Sequence, residues 1–368
     1  MVTKMKFYSL DNILKRDATY NVIFGERSNG KTYASMTKCI KDFVETGAQF
    51  GYVRRWKEDV TGRRAATLFA GHIDNDAISK MTDGAFEGVH YYAGVFYLCN
   101  YDENGKAIYN KEEDKAGYCF ALSDNEHNKS NSFPRIRNIV FDEFLARNYF
   151  PNEFVSFMNT VSTIVRKRTD VKIFMLGNTV NKHSPYFEEM GLKHVKNMKQ
   201  GAIDLYRYGN SELTVAVEYC ANLQKDEKSQ KYFAFDNPKL QMITGGSWEL
   251  DIYPHLPMKY VEEDVQFEFV MEIGDELFLC KIVQKGDAMF IYCHRKTTPI
   301  KDEDNDLIYS LRPDPRPNWV RDLRIVSSAR GDSKVKNMIW WLFKTGKVYY
   351  QDNDVGDTIS QFVSNSLR

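Results

Sequence analysis

Through the first two hundred residues, short unbroken apolar runs alternate with longer stretches of helical period. Thr19 to Phe24 (TYNVIF) is one such run and ends at a glycine. From Lys31 to Glu45, Tyr33, Met36, Ile40, Phe43 and Val44 fall on one helical face, and Gly47 closes the segment. Gln49 to Arg54 (QFGYVR) reads as a second strand. Val89 to Leu98 and Gly117 to Leu122 are rich in aromatic and β-branched residues around a polar stretch. They predict a hairpin with a long solvated tip from about Asn100 to Lys115. Arg137 to Phe141 is a buried strand running into Asp142 and Glu143. A helix is predicted over Asn152 to Arg168, with Phe154, Val155, Met158, Val161, Ile164 and Val165 on one side. Val171 to Leu176 is a further strand, closed by Gly177 and Asn178.

Strands that are apolar throughout and alternate with helices predict a parallel sheet covered on both faces. The notable polar residues follow strand C-termini: the glycine-rich loop, Asp142 with Glu143, and Asn178. That edge is where open α/β sheets bind ligands. After about residue 205 the pattern changes. Residues 206–255 mix short strands, a charged patch from Gln224 to Lys231 and glycine turns, as expected of a connecting subdomain. From Val265 strands dominate: VQFEFVMEI, ELFLCKIV and AMFIYC, joined by turns at Gly274-Asp275 and Gly286-Asp287. A proline-rich joint (RPDPRPN, Arg312 to Asn318) precedes a helix near Lys334 to Lys344, a strand at Lys347 to Gln351 and a last helix. The expected division is therefore 1–205, 206–255 and a separate α+β domain over 256–368.

Composition changes this picture little. The 368 residues are 43% hydrophobic, 27% charged and 14% aromatic, as in ordinary globular proteins. No apolar run approaches the length of a membrane span, and the basic N-terminal stretch lacks the apolar core of a secretory signal. The six cysteines are scattered without a Cys-x-x-Cys pair and the seven histidines show no zinc spacing, so reduced thiols are expected. Net charge is zero, and residues 1–205 carry 29 basic against 25 acidic side chains. A protein that slides along DNA needs a local basic track rather than a basic whole, so charge leaves DNA binding open.

Candidate chemistry changes it decisively. Gly25-Glu26-Arg27-Ser28-Asn29-Gly30-Lys31-Thr32 fits G-x-x-x-x-G-K-[ST], between a strand and a helix. Its glycines let backbone N–H groups wrap phosphates, the helix N-terminus adds positive potential, and Lys31 bridges the β- and γ-phosphates of ATP. The Thr32 hydroxyl would ligate Mg²⁺. Asp142, 111 positions beyond Lys31 at the end of IVFD, is placed to hold the magnesium hydration shell, and Glu143 to orient and deprotonate the attacking water. Asn178 is either a turn asparagine or an amide that senses the γ-phosphate. Arg166-Lys167-Arg168 either complements a helix dipole or supplies a finger to a neighbouring subunit's ATP, with Lys129 a weaker candidate for the same role. Arg54 and Arg55 could couple nucleotide state to DNA, and a solvated basic edge explains them equally well.

Three stretches together, YVRRWK after the first helix, KSNSFPRIRNIVFDEF from Lys129 to Phe144 and STIVRKRTDVKIFMLGN from Ser162 to Asn178, resemble the podophage DNA-encapsidation ATPases. These are packaging motors of small tailed phages with protein-primed genomes. The likeness covers about residues 7–190, thins through the middle, and returns faintly at FKTGKVYYQDN. It implies a P-loop NTPase domain of the additional-strand, catalytic-glutamate (ASCE) type, with a mostly parallel sheet and a small C-terminal domain of RNase H-like shape. It further implies a homo-oligomeric ring, typically a pentamer, on the portal (connector) of an empty procapsid in the host cytoplasm, driving double-stranded DNA inward with ATP and Mg²⁺. A scaffold RNA is left open. By position, Lys31, Thr32, Asp142 and Glu143 match the family's ATP site, Arg166 its trans-acting finger and Lys129 a lysine acting across the interface. The alternative is a terminase-like enzyme that also cuts DNA, or a nucleotide-switched DNA-binding module. Glu268, Glu272, Asp275 and Asp287 do not form the spaced aspartate set of a two-metal nuclease, so a vestigial nuclease domain is expected.

Overall fold

The computed structural model describes residues 7–124, 131–146, 149–179, 184–221, 253–310, 312, 314–321, 323 and 332–366. The chain divides into two compact units, Met1–Glu249 and Leu250–Arg368.

In the first unit, strands β1 (Tyr20–Gly25), β2 (Gln49–Arg54), β3 (Gly88–Tyr92), β4 (Val95–Tyr101), β5 (Ala107–Ile108), β6 (Lys115–Ala121), β7 (Ile136–Asp142), β8 (Lys172–Asn178), β9 (Ile203–Arg207) and β10 (Thr214–Tyr219) form one sheet. Its order is β3-β4-β6-β2-β7-β8-β1-β10-β9, with β5 against β4. From β6 to β10 every neighbour runs parallel. Towards the two margins, β4 runs antiparallel to both β3 and β6, and the edge strand β9 runs antiparallel to β10.

Side chains alternate between two apolar layers. Val22, Phe24, Phe141, Met175 and Val217 enter one, which the helix Glu153–Val165 covers through Phe157, Val161 and Ile164. Ile23, Val140, Phe174 and Ala216 enter the other, with Met36, Cys39 and Ile40 of the helix Lys31–Thr46. Burial on both faces is why these strands carry continuous apolar runs. Among the described residues, no helix is long and apolar enough to cross a membrane.

Several expectations shift. The segment over Val89–Leu98 is two strands, because the chain reverses at Ala93 and Gly94 (φ +48° and +84°) and β3 folds back on β4. The polar stretch after it contains β5. Val44 and Tyr33, expected on the core face of their helix, are surface-exposed, and Cys39 fills that layer instead. Val155 is likewise exposed, and Phe157 takes the core position. The boundary expected at residue 205 falls inside β9, and β10 pairs in parallel with β1, so Thr214–Tyr219 belongs to the large sheet rather than to a connecting subdomain. The charged patch Gln224–Lys231 lies outside the described residues.

In the second unit, β11 (Val265–Ile273), β12 (Glu276–Lys285) and β13 (Ala288–Arg295) form an antiparallel meander, and β14 (Ile308–Ser310), β15 (Trp319–Val320) and β16 (Val348–Tyr350) add in parallel. The order is β15-β14-β11-β12-β13-β16. An antiparallel three-strand meander extended by two parallel strands beside its first strand is the RNase H arrangement, here with β16 added at the far edge. Ile339, Leu342, Val355, Ile359 and Phe362 of the helices Asp332–Lys344 and Asn353–Ser366 cover one face.

Candidate active site

A strand of near-continuous apolar residues followed by a loop that L-residues disfavour opens the site. Gly25 and Gly30 take φ +153° and +96°, and Ser28 takes φ +57°. A Cβ on Gly25 would lie 2.9 Å from Cβ of Cys220, so glycine is required there by space as well as by conformation. The loop then feeds the helix beginning at Lys31, capped by Gly30.

Lys31 is buried, and its ammonium donates to the Glu26 carbonyl (2.6 Å), to Asn29 Oδ1 (3.1 Å) and to Asn178 Oδ1 (3.4 Å). Burial pulls its pKa below the ordinary lysine value, opposed by the nearby Cys220, Asp142 and Glu26. Thr32 Oγ1 lies 3.2 Å from both Asp142 oxygens, and the Tyr52 hydroxyl donates to Asp142 Oδ2 at 3.0 Å. Desolvation raises the Asp142 carboxyl above its usual range, while Arg54 and the Tyr52 hydrogen bond pull it down. One hydroxyl and one buried carboxylate, both hard oxygen donors, suit Mg²⁺.

Beside them Glu143 is half exposed and takes a left-handed backbone (φ +59°), its N–H donating to Asp142 Oδ1 at 3.1 Å. Arg54 holds its carboxylate, Nη2 to Oε2 at 2.6 Å. Arg55, the next residue, reaches the main chain behind it, donating to the Glu143 carbonyl (3.1 Å) and the Phe144 carbonyl (2.8 Å). Asn29, Lys31, Thr32, Arg55, Asp142, Glu143 and Asn178 border a cavity of about 620 Å³, lined also by Arg27, Ser28, Gly30 and Tyr33, with Tyr52 and Arg54 behind its wall. Of the residues expected to hold ATP and magnesium, Arg27 to Thr32, Asp142 and Asn178 line this one cavity, while Gly25 and Glu26 are not among its lining residues.

Of the expected trans-acting residues, Arg166 and Arg168 do not line that cavity. Arg166 ends its helix with φ +52°, is exposed, and donates to the Asn131 carbonyl (2.7 Å) at the start of the β7 segment. Its helix of 13 residues spans about 20 Å and ends beside the segment leading into β7, at the opposite end of that strand from Asp142. Arg168 is absorbed locally: its guanidinium donates to the carbonyls of Phe133, Pro134, Ile136, Ile164 and Val165. Lys129 lies outside the described residues.

Tyr52, Glu153 and Tyr186 were not foreseen. Tyr52 and Arg54 share a face of β2 by period-two alternation, which in YVRRWK was a usable signal. Glu153 reads only as a first-turn carboxylate, and nothing in its spacing points to Arg55, 98 positions away.

In the second unit Glu272 is paired across the sheet with Ser310, whose hydroxyl donates to it at 2.6 Å, and Arg312 approaches it at 3.6 Å. Among the described residues no group of three or more His, Cys, Asp or Glu gathers closely enough to hold a metal.

β8 stands between the phosphate-loop strand β1 and the Asp142 strand β7, with the acidic pair at the end of β7. An inserted strand at this place, with that loop, defines a P-loop NTPase of the ASCE type. The model of the Podovirus DNA encapsidation protein (Gp16) family matches residues 2–232, more than half of the chain, and the chain belongs to that family. DNA packaging proteins of Bacillus phages PZA and phi29 are each 32% identical to it over 190 residues, covering 50% of this chain and 50% of theirs. The chain's match thus spans about half the length of these curated relatives. The bacteriophage phi-29 viral genome packaging motor assembly aligns over 99% of this chain and 100% of that one, with a TM-score of 0.59 and 22% identity. The phi-28 gp11 DNA packaging motor covers 98% of each, with a TM-score of 0.55 and 18% identity. At these identities the likeness is one of fold.

Proposed function

We propose that this protein hydrolyses ATP to drive double-stranded DNA into an empty procapsid. In this reading it works as a homo-oligomeric ring, a pentamer, on the portal in the host cytoplasm. One observation carries the proposal: Lys31, Thr32, Asp142 and Glu143 converge on one cavity, in a member of a DNA encapsidation family.

In this reading Lys31 leaves the Glu26 carbonyl, Asn29 and Asn178 for the β- and γ-phosphates, and the loop amides from Ser28 to Thr32 cradle them. Thr32 and Asp142 would hold Mg²⁺, which supplies charge neutralisation on the phosphate oxygens. Glu143, once released by Arg54, takes the proton of the water that attacks the γ-phosphorus, and the bond to the β-phosphate oxygen breaks to give ADP and phosphate. Asn178, already beside Lys31, orients the terminal phosphate or the water. Arg166 serves the adjacent subunit's site, a role worth roughly 10³ to 10⁵ in rate.

Support for a packaging motor over a cutting enzyme comes from Glu272, which faces Ser310 and Arg312, with no metal-holding carboxylate cluster among the described residues. Metal-dependent nicking of DNA by the full chain would favour the cutting alternative. The test is ATP turnover as a function of protein concentration, with and without double-stranded DNA. A motor ring should show steep dependence on both, and turnover linear in protein and indifferent to DNA would overturn the proposal.

A further inference from the structure

Among the described ion pairs, Arg55–Glu153 is the most deeply buried, with side chains 8% and 1% exposed. A buried pair of this kind is poor evidence of stabilisation, since desolvation offsets much of the attraction. Its geometry has a more specific content. Arg55 Nε donates to both Glu153 oxygens, at 2.9 and 2.8 Å. The other two nitrogens turn away from Glu153 to the carbonyls of Glu143 and Phe144. The Tyr149 ring lies against the guanidinium, 5.2 Å to its centroid. Glu153 is fixed in turn by the Tyr186 hydroxyl, which donates to Oε1 at 2.8 Å, and by the Phe150 N–H, which donates to Oε2 at 3.2 Å. The Phe144 N–H donates to the Leu176 carbonyl at 3.1 Å. The peptides on the C-terminal side of Glu143 are therefore pinned, and Glu143 itself holds φ +59°, a conformation non-glycine residues keep only where their surroundings impose it.

We infer that Arg55, anchored by Glu153 and Tyr186, is a positioning residue that fixes the Glu143 turn from which the carboxylate addresses the attacking water. The buried pair then governs turnover rather than ATP affinity. This rests on the water-activating role proposed above for Glu143. Lysine at position 55 could satisfy Glu153 as an ion pair but cannot span two carbonyls as a planar fork does. Arg55 also lines the nucleotide cavity, whereas Glu153 and Tyr186 are not among its lining residues, so variants at the latter two separate positioning from a direct phosphate contact.

The test uses the full chain with Arg55→Lys, Glu153→Gln, Tyr186→Phe and, as reference, Glu143→Gln. The measurements are kcat, KM for ATP, affinity for a non-hydrolysable ATP analogue and thermal unfolding. Arg55→Lys and Glu153→Gln should lower kcat by about 10²-fold, the cost of misplacing a catalytic group by about 1 Å, with KM and analogue affinity unchanged. Tyr186→Phe removes one hydrogen bond and no charge. It should lower kcat less, again at constant KM, and it carries the test if Glu153→Gln does not fold. Wild-type kcat in Arg55→Lys overturns the inference, and so does a raised KM at unchanged kcat. A lowered melting temperature with undiminished kcat in Tyr186→Phe overturns it as well. If Glu143→Gln itself turns over at the wild-type rate, it is the water-activating role that fails, a result distinct from any failure at Arg55.

Discussion

At Asp142 two demands on one carboxylate oppose each other. Holding a cation requires it ionised, and the dense packing that aligns it with Thr32 and Tyr52 penalises that charge. Because burial holds its carboxyl above the ordinary value, folding favours the protonated form relative to the unfolded chain. That contribution is present below the ordinary carboxylate range and is lost as pH rises through the raised value. Asp142→Asn removes the conflict. We expect nucleotide-free Asp142→Asn protein to melt higher than wild type at about pH 8, by ~2–4 °C if ~1 kcal/mol is recovered, with the gain shrinking as pH falls through the carboxyl's titration. Turnover should collapse in the same variant. Equal melting at alkaline pH would show that Arg54 and Tyr52 balance the buried charge without cost.

At the scale of elements, close approach of strands decides what the sheet tolerates. Gly117 on β6 sits opposite Phe50 on β2, and a Cβ there would fall 2.5 Å from the phenylalanine ring. Gly117→Ala should destabilise the chain by about 1–3 kcal/mol, the cost of overpacking a core, read as a lower urea midpoint at unchanged slope. An unshifted midpoint would mean that Phe50 rotates away freely. The same strands explain which parts of the fold were legible in the sequence. TYNVIF, QFGYVR, IVFD and the run into Asn178 are doubly buried strands whose local composition announces them, and their polar terminal residues marked the site. β10 escaped because its identity as a sheet strand depends on pairing with Tyr20–Phe24, nearly two hundred positions earlier, which no local period encodes. The pairing of Arg55 with Glu153 escaped for the same reason: in sequence Arg55 reads as a DNA-coupling arginine or a solvated basic edge and Glu153 as a first-turn carboxylate, until the fold buries them together. Arg166 and Arg168, alike in sequence, are separated by structure, the first exposed and bonded to the Asn131 carbonyl, the second half-buried and bonded to five carbonyls.

For the molecule as a whole, a site that lacks a cation from its own far helix end invites completion by another copy. Lys31→Ala protein retains Arg166, and Arg166→Ala protein retains an intact phosphate loop. Mixing the two should restore part of the ATP turnover that each lacks alone. If mixtures stay inactive while Arg166→Ala alone keeps full activity, Arg166 does not act across subunits. Zero net charge over 368 residues places any grip on DNA in local clusters. DNA-stimulated turnover should therefore fall with salt while remaining indifferent to sequence.

The placement of β8 carries a metric consequence. Adjacent strands lie about 4.8 Å apart, so the lysine-bearing loop and the acidic pair issue from backbones held about 10 Å from each other by amide-to-carbonyl ladders alone. That gauge owes nothing to side-chain identity. Apolar residues along β8 can exchange while the two backbones keep this separation, but Gly177, where a Cβ would meet Phe144 and Leu145 at 2.9 Å, and Asn178, beside Lys31, are held to their identities by contact.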